Sequence, residues 1–392
     1  MITTTITARR ARRAATLIVL AAMLVATTVP VFATGTVEIE PQRTVTDALG
    51  RSVEIPEDPQ RIVAAGRAVL MIADALYMFP GAEDRIIGIG RINQGKGNFL
   101  AAIDPDYGEK AVLERNVGAE QIAGLNPDVV ILKTFMRGPL GDAVEQIGIP
   151  VVYVDLETPE QYQRDLRLLG DVLNQSGRGS ELARYYEVES QRVRRTVDAG
   201  LAASSEADAG ADDSNAPDAA DDIARPSTLF LYADLAGGEQ VFNVPPVGWI
   251  QTTMVEIAGG DPVWVDSNPG GGWTSVGLEQ IAAWNADVIT LVAYRQDVSA
   301  IRDTLYDTPV WSDLTAIETG NLRIFPVDFY SWDQPDVRWI LGLQWLAKTL
   351  HPELFPELDV AEEMYDFFSF AYRMSREQVD TVIVPVLEGI SR

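Results

Sequence analysis

Basic and aromatic side chains follow several predicted β-strands, and they are the residues best suited to binding chemistry. In the first half of the chain they are Arg67, Arg91, Asn93, Lys133 and Phe135. In the second half they are Tyr232, Tyr294, Arg295, Tyr330 and Trp332, with Trp249 and Trp273 in loop-rich stretches. Cationic groups pair with anions, and aromatic rings pack on flat surfaces. The set predicts a site for a large, partly flat and negatively charged ligand.

Motifs for catalysis or nucleotide binding are incomplete in this sequence. "GRINQGKG" (90–97) matches a phosphate-binding loop except that Gly97 stands where a hydroxyl would hold Mg²⁺, and "GIGRIN" lacks the third glycine of the dinucleotide fingerprint. A single histidine, His351, and no cysteine argue against Ser-His-Asp catalysis and against a His-rich or thiolate metal site. A hydrolase with paired carboxylates stays open, because no spacing singles out one pair among 57 acidic residues.

Short apolar runs alternate with helix-period stretches through most of the chain, which predicts parallel βαβ units. The strand predictions are 61–66, 85–90, 128–133 and 151–155 in the first half and 227–234, 287–295 and 321–328 in the second, with a β-hairpin at 43–56. Ligands of open α/β sheets bind outside the carboxyl ends of the strands. The basic and aromatic residues named above are therefore expected to share one edge of each sheet.

Composition indicates how the chain is divided. Four arginines and an apolar run predict a cleaved signal peptide at 1–33, with an uncleaved membrane anchor as the alternative. Residues 34–157 form a predicted N-terminal lobe, 158–201 a helical strut, 202–226 a disordered acidic insertion and 227–392 a C-terminal lobe. The formal net charge of −26 disfavours nucleic acid as a partner.

One stretch of sequence occurs twice. "GAEQIAGLNPDVVIL" (118–132) and "GLEQIAAWNADVITL" (277–291) share nine of fifteen positions, including Glu120 and Glu279. Each copy reads as a helix start that leads into a buried strand. In a parallel sheet such a helix begins on the side where the strands end, so both glutamates are expected on the face that carries the mouth of the cleft. A carboxylate in a first helical turn also has a purely local explanation in the helix dipole, but the pairing favours two lobes of related build.

The sequence resembles the iron-siderophore, haem and cobalamin type of periplasmic substrate-binding protein of ABC importers. Four phrases carry this resemblance: "TVTDALGRSVEIPEDPQRIV", "EQIAGLNPDVVIL", "GIPVVYVD" and "PDVRWILGLQWLAKTLHPELF". It covers nearly all of the mature chain. It implies an α/β fold with two Rossmann-like lobes and mainly parallel sheets, joined by a single long helix, and a ligand held between lobes that move little.

The resemblance also implies a function. The protein is expected to be a monomeric, non-enzymatic periplasmic binding protein without a cofactor, which delivers a ferric siderophore, haem or cobalamin to a permease dimer and its ATPase. Glu120 and Glu279 are expected to dock onto arginines of that permease. Molybdate or tungstate is the alternative ligand within the class, to be bound by Arg67, Arg91 and Lys133.

Overall fold

The structure, a computed structural model, describes residues 41–92, 94–210 and 224–390. The predictions for the signal peptide and for Asn93, and the part of the insertion prediction at 211–223, lie outside the described residues. An antiparallel hairpin opens the described chain, as predicted, with β1 (Gln42–Thr46) paired to β2 (Ser52–Pro56).

The first lobe is built on a five-stranded parallel sheet. Its strands are β3 (Ile62–Ala64), β4 (Ile86–Gly90), β5 (Ala111–Leu113), β6 (Val129–Lys133) and β7 (Val151–Val154), in the spatial order β5-β4-β3-β6-β7. This order reverses direction between β3 and β6, the kind of position where doubly wound sheets bind ligands. Its helices are α1 (Val69–Tyr77), α2 (Ala82–Arg85), α3 (Phe99–Ile103), α4 (Ala119–Ala123) and α5 (Asp142–Gln146). A short 3₁₀ turn at Tyr107–Glu109 and two helical turns over Thr134–Gly141 complete the lobe.

Two helices connect the lobes. α6 (Pro159–Val172) packs antiparallel on α7 (Ser176–Gly210), and Gly170 and Gly179 lie at their contact, where a Cβ on Gly170 would come within 2.8 Å of the Gly179 Cα. α7 has 35 residues, which gives a length of about 50 Å. The predicted end of the strut at residue 201 and the prediction of disorder from 202 are wrong for 202–210, because this alanine-rich segment continues the helix.

The second lobe has a mixed sheet. Its strands are β8 (Ser227–Ala236), β9 (Glu239–Val244), β10 (Asp261–Pro262), β11 (Thr274–Val276), β12 (Val288–Val292) and β13 (Leu322–Ile324). β8, β10, β12 and β13 pair in parallel, whereas β9 is antiparallel to β8 and β11. The sequence analysis missed β9, although Gly237 and Gly238, both with positive φ, form the two-residue turn typical of a hairpin.

The remaining helices cover the second lobe and close the chain. They are α8 (Ile250–Ile257), α9 (Leu278–Trp284), α10 (Val298–Tyr306), α11 (Thr315–Glu318), α12 (Trp339–Leu350), α13 (Val360–Tyr372) and α14 (Arg376–Val382), with 3₁₀ turns at Val265–Ser267 and Val384–Val386. α12 is buried on nearly all sides, as its apolar sequence predicts. The predicted fold class, with two lobes and one long connecting helix, is therefore confirmed.

A single buried arginine joins the two lobes. The Arg338 guanidinium lies 2.7 Å from Asp74 of α1, 2.8 Å from Asp328 and 2.9 Å from Asp336, and all four side chains are fully buried. Its Cζ also lies 4.5 Å from the centre of the Phe99 ring. Burial and the neighbouring Asp336 carboxylate raise the pKa of Asp74, and Arg338 only partly opposes this.

The incomplete phosphate loop forms a second contact between the lobes. The Gly95 N–H donates to the Tyr294 carbonyl at 3.3 Å, and the Lys96 N–H donates to the Phe329 carbonyl at 2.8 Å. The Lys96 ammonium pairs with Glu388 at 2.5 Å. Two of the N–H groups that would cradle a phosphate in a phosphate-binding loop are therefore engaged by the second lobe.

We expect Arg338→Met to lower the free energy of unfolding by about 3–5 kcal/mol, because it leaves buried carboxylates without their cation. The measurement is urea unfolding at neutral pH. Arg376→Met is the matched control, since Arg376 forms an exposed pair with Glu362 and its loss should change little. Equal losses in the two variants would contradict the central role of Arg338.

The raised pKa of Asp74 predicts a pH-dependent stability. The folded state holds the Asp74 proton to higher pH than the unfolded chain, so this stabilisation is complete below the ordinary aspartate pKa. It is lost as the pH rises through the folded-state pKa. Asp74→Asn mimics the protonated form, so wild type should lose stability relative to this variant as the pH rises above the ordinary aspartate pKa in urea titrations. Parallel pH profiles would contradict the assignment.

Gly95→Ala tests the loop contact. Gly95 has a φ of +82°, and an added Cβ would lie 1.9 Å from the Phe329 carbonyl oxygen. Gly81→Ala is the control, since Gly81 has a φ of +72° and nothing within 4 Å. We expect Gly81→Ala to cost about 1–2 kcal/mol for the backbone conformation alone, and Gly95→Ala to cost clearly more in thermal and urea unfolding. Equal costs would show that the loop moves away from Phe329 easily.

Candidate ligand-binding site

Three arginines follow three neighbouring parallel strands of the first lobe. Arg67 comes after β3, Arg91 directly after β4 and Arg115 shortly after β5. Because these strands are parallel and adjacent, the arginines meet at one edge of the sheet, at the cleft. The sequence analysis named Arg67 and Arg91 and missed Arg115, because the three-residue strand β5 was not recognised. The signal available was an arginine shortly after each of the three strands.

The start of α1 lies beside these arginines, and together they form one side of the cleft, the arginine wall. Ala68, at the N-cap, has a left-handed conformation (φ 56°) and provides no side-chain hydrogen bond to the first turn. The N–H groups of a first helical turn have no partner inside the helix and carry the positive end of its dipole. The segment from Gly66 to Met71 lines the cleft, so this wall combines guanidinium groups with a helix N-terminus.

The second lobe supplies an aromatic wall. The ring centres of Tyr232 and Tyr294 are 4.6 Å apart, and Trp273 lies 5.0 Å from Tyr232. Trp249 packs edge-on against Trp273 at 5.4 Å. Tyr232 belongs to β8, Tyr294 follows β12 and Trp273 precedes β11. The sheet thus gathers rings from separate parts of the sequence into one surface.

A cavity of about 510 Å³ lies between the two walls. Its lining brings together six of the predicted ligand-binding residues from the two lobes and adds Arg115 to Arg67 and Arg91. The described lining residues that carry polar or aromatic side chains are Arg67, Arg91, Gln94, Arg115, Tyr232, Asp234, Trp273, Tyr294 and Arg295.

The cleft arginines differ in their partners. Arg91 pairs with Glu114 through contacts of 2.5 and 2.9 Å, and Arg295 pairs with Asp234 at 2.9 Å. Arg67 lies over the exposed ring of Phe135 at 5.6 Å. Neither Arg67 nor Arg115 forms an ion pair with any residue that the structure describes. These two exposed guanidinium groups are available to an anionic ligand.

A buried carboxylate supports the aromatic wall. The Tyr294 hydroxyl donates to Asp333 at 2.6 Å, and Gln251 and Ser331 donate to the same carboxyl group at 3.1 and 2.5 Å. Asp333 is fully buried. Burial raises the pKa of Asp333, and the three donors oppose that shift. Asp333 therefore fixes the direction of the Tyr294 hydroxyl.

Lys133 does not reach the cleft, which corrects its predicted role. It is the last residue of β6, and strand alternation places it on the same sheet face as Val129 and Ile131. Its ammonium group is fully buried, donates to the Asp155 carbonyl and pairs with Glu157 at 2.6 Å. Burial lowers the pKa of Lys133. The prediction took Lys133 to lie beyond the strand end, whereas it still belongs to the strand.

Tyr330 and Trp332 are also fully buried and lie away from the cavity lining. The Tyr330 ring lies 5.1 Å from the Arg338 Cζ, and the Trp332 indole N–H donates to Asp328 at 3.1 Å. Their predicted ligand contact is wrong, because the segment after β13 folds inward around Arg338. Trp249 lies behind Trp273 and is 37% exposed.

The repeated sequence produces repeated local structure. Gly118 and Gly277 are the N-caps of α4 and α9 with nearly equal dihedral angles, φ −90° and ψ 159° against φ −87° and ψ 164°. Glu120 and Glu279 lie in the first turns of these helices and are exposed. Each helix leads into a buried strand, β6 or β12, as predicted.

The described residues offer neither a membrane-spanning helix nor a cluster of metal-binding side chains. No described helix is both long enough and apolar enough to span a membrane. The described chain also holds no group of three or more His, Asp or Glu side chains arranged to bind a metal ion.

Sequence comparison finds distant relatives. No family model matches the chain. The molybdate-binding protein MolA of Haemophilus influenzae is 24% identical over 357 residues, covering 85% of this chain and 92% of that protein. YvrC of Bacillus subtilis, an uncharacterized substrate-binding lipoprotein of an ABC transporter, is 21% identical over 319 residues, covering 80% of this chain and 87% of that protein.

Solved structures share the fold. A periplasmic solute-binding protein of Veillonella parvula superposes with a TM-score of 0.66 at 22% identity, over 88% of this chain and 98% of that one. MolA with bound molybdate gives 0.64 at 21%, over 85% and 98%. Helicobacter pylori CeuE with bound Ni(II) gives 0.59 at 15%, over 87% and 99%.

The chain therefore has the fold of the periplasmic solute-binding proteins of ABC transporters, and the resemblance seen in the sequence is confirmed. Its relatives and structural neighbours are named as binding or transport proteins rather than enzymes. They give no support to a hydrolase with paired carboxylates.

Proposed function

We propose that this protein is an extracytoplasmic solute-binding protein that captures an anionic metal chelate in the cleft between its lobes and delivers it to an ABC permease. The observation that carries the proposal is the pairing of an arginine wall with an aromatic wall across one cavity. The chain has a net charge of −26. In so acidic a chain, a cluster of four arginines in one cleft indicates a binding site for an anion.

The size of the cavity favours a chelate over a small ion. A volume of about 510 Å³ lies in the range typical of sites for small organic molecules. Rings at 4.6 and 5.0 Å from one another offer faces to a flat ligand surface. Arginine side chains bind the carboxylate or phenolate oxygens at the edge of such a ligand.

A bare oxyanion such as molybdate or tungstate is the second candidate. Two observations favour it: the uncapped N-terminus of α1 beside Arg67 provides donors for a tetrahedral anion, and the relative MolA is named as molybdate-binding. The aromatic wall has no evident role with so small a ligand, so we place this candidate second.

Glu120 and Glu279 are the proposed contacts to the permease. Each is exposed in the first turn of a helix that leads into a parallel strand and therefore begins on the cleft side of its sheet. One acid on each lobe suits a partner that is itself a dimer with basic side chains at matching positions. We propose that the protein acts there as a monomer.

A ligand screen tests the proposal directly. Metal-stripped, refolded protein is titrated with ferric siderophores, haem, cobalamins, molybdate and tungstate, and the melting temperature is measured. At a ligand concentration of 100 times Kd we expect about 2.7 kcal/mol of stabilisation. A rise with a chelate supports the first proposal, a rise with an oxyanion alone supports the second, and no rise with any compound contradicts both.

A double variant of the cleft arginines tests whether the ligand binds between the two walls. Arg67→Gln with Arg115→Gln should weaken binding about tenfold or more for each arginine, because each removes charged hydrogen bonds to the ligand. Arg137→Gln with Arg302→Gln makes the same charge change at exposed sites outside the cavity. Isothermal titration should show little effect of the control pair. Equal losses would mean that only the overall charge matters.

Glu120→Arg with Glu279→Arg should abolish uptake in a reconstituted transporter while ligand affinity stays within about twofold of wild type. Glu54→Arg with Glu318→Arg, at exposed positions with one in each lobe, is the control and should transport normally. A loss of ligand affinity in the first pair would place these glutamates in the binding site instead.

A further inference from the structure

Three oxygen-bearing acidic or phenolic side chains line the cavity among the residues described. They are Tyr232, Asp234 and Tyr294. Phenolate and carboxylate oxygens are the side-chain groups here that a hard cation such as Fe³⁺ would accept as ligands. Whether the protein can complete the coordination of a metal therefore depends on whether these three oxygens are free.

The Tyr294 oxygen is directed away from the cavity. It lies 2.6 Å from the Asp333 carboxylate, which has no exposed surface. Asp333 accepts two further hydrogen bonds, from Gln251 and Ser331, so its position is fixed by three donors. The part of Tyr294 that the ligand meets is the ring.

The Asp234 carboxylate is paired within the cleft wall, next to the Tyr232 phenol. Asp234 forms its ion pair with Arg295 at 2.9 Å. Burial raises the pKa of Tyr232 to about 12, and the adjacent Asp234 carboxylate adds to the shift. The pKa of Tyr294 is also raised, by burial and by Asp333. Both phenols therefore keep their protons at neutral pH.

Nitrogen and sulfur ligands are equally scarce at this site. The chain has one histidine and no cysteine. His351 is buried, with its Nε2 3.2 Å from the Gly259 carbonyl, and it is not among the cavity residues. The other described side chains of the cavity with potential donor atoms are the arginine guanidinium groups, the Gln94 amide, whose nitrogen donates to Gln334, and the Met71 thioether. A thioether is a soft ligand that does not suit a hard cation such as Fe³⁺.

Resting on the proposed function, we infer that the substrate is a coordinatively saturated chelate, whose own donor atoms fill every position on the metal. The protein recognises the anionic edge of the complex with Arg67 and Arg115 and its flat surface with the rings of Tyr232, Trp273 and Tyr294. None of the side chains that the structure describes in this cleft serves as a ligand to the metal. Complexes that leave coordination positions open gain no further metal ligand from the side chains described in this cleft.

The test compares saturated with unsaturated complexes of the same donor type and reads the coordination of the bound metal from its visible spectrum. The probes are ferric complexes of a hexadentate tris-catecholate and a hexadentate tris-hydroxamate, each beside its tetradentate counterpart with the same spacer. Affinity is measured by quenching of tryptophan fluorescence, and the visible spectrum of each bound complex is recorded. We expect at least one hexadentate complex to bind with an unchanged charge-transfer band, and its tetradentate counterpart to bind at least tenfold more weakly.

Two results would overturn the inference. If a tetradentate complex binds as tightly as its hexadentate partner and gains a phenolate-to-iron band that Tyr294→Phe or Tyr232→Phe removes, the protein is a metal ligand and the proposed function still stands. If no ferric complex binds while molybdate or tungstate raises the melting temperature, both the inference and the chelate proposal fail. The visible spectrum of the wild-type complex shows whether a tyrosine binds the iron, even if the two tyrosine variants fold poorly.

Discussion

The ion cluster around Arg338 is the interaction on which the rest of the structure depends. A buried guanidinium group is tolerated only where carboxylates surround it, and here those carboxylates come from both lobes, Asp74 from the first and Asp328 and Asp336 from the second. Separating the lobes would expose or orphan these charges. The relative position of the two sheets is therefore fixed by electrostatics as well as by the long helix α7.

The segment that supplies Asp328, Asp336 and Arg338 to the cluster also supports the candidate ligand site. Residues 325–338 fold inward after β13, bury Tyr330 and Trp332 beside Arg338, and present Asp333 to the Tyr294 hydroxyl. The carbonyl of Tyr294 in turn accepts from Gly95 of the opposite lobe. The aromatic wall is thus held by contacts that also hold the lobes together. A cleft built this way is preformed, which reduces the ordering cost of binding a rigid ligand.

Much of the architecture could be predicted from the sequence because it depends on local patterns. The alternation of apolar runs and helical stretches identified four of the five strands in the first sheet, and the repeated "EQIA" phrase identified the two matching helix starts. β5 and the antiparallel strands β9 and β11 were missed: β5 and β11 have three residues each, and β9 follows a Gly-Gly turn that was not recognised.

The site was harder to predict because side-chain direction depends on tertiary packing. Arg67, Arg91, Tyr294 and Arg295 follow strands and reach the cleft, whereas Lys133 is still inside its strand and turns into the core. Tyr330 and Trp332 also follow a strand, yet the charge of Arg338 draws their segment inward. No local sequence pattern distinguishes these buried residues from those that reach the cleft, because Asp74, the partner of Arg338, lies 264 positions away from it.

A crystal structure of the protein with a bound ferric chelate, with the metal located by its anomalous scattering, tests the account most directly. The account predicts the metal between the arginine wall and the aromatic wall, with no protein atom in its coordination sphere and the lobes arranged as in the unbound protein. A metal located outside this cleft, or bound within it only after the lobes have separated around Arg338, would contradict it.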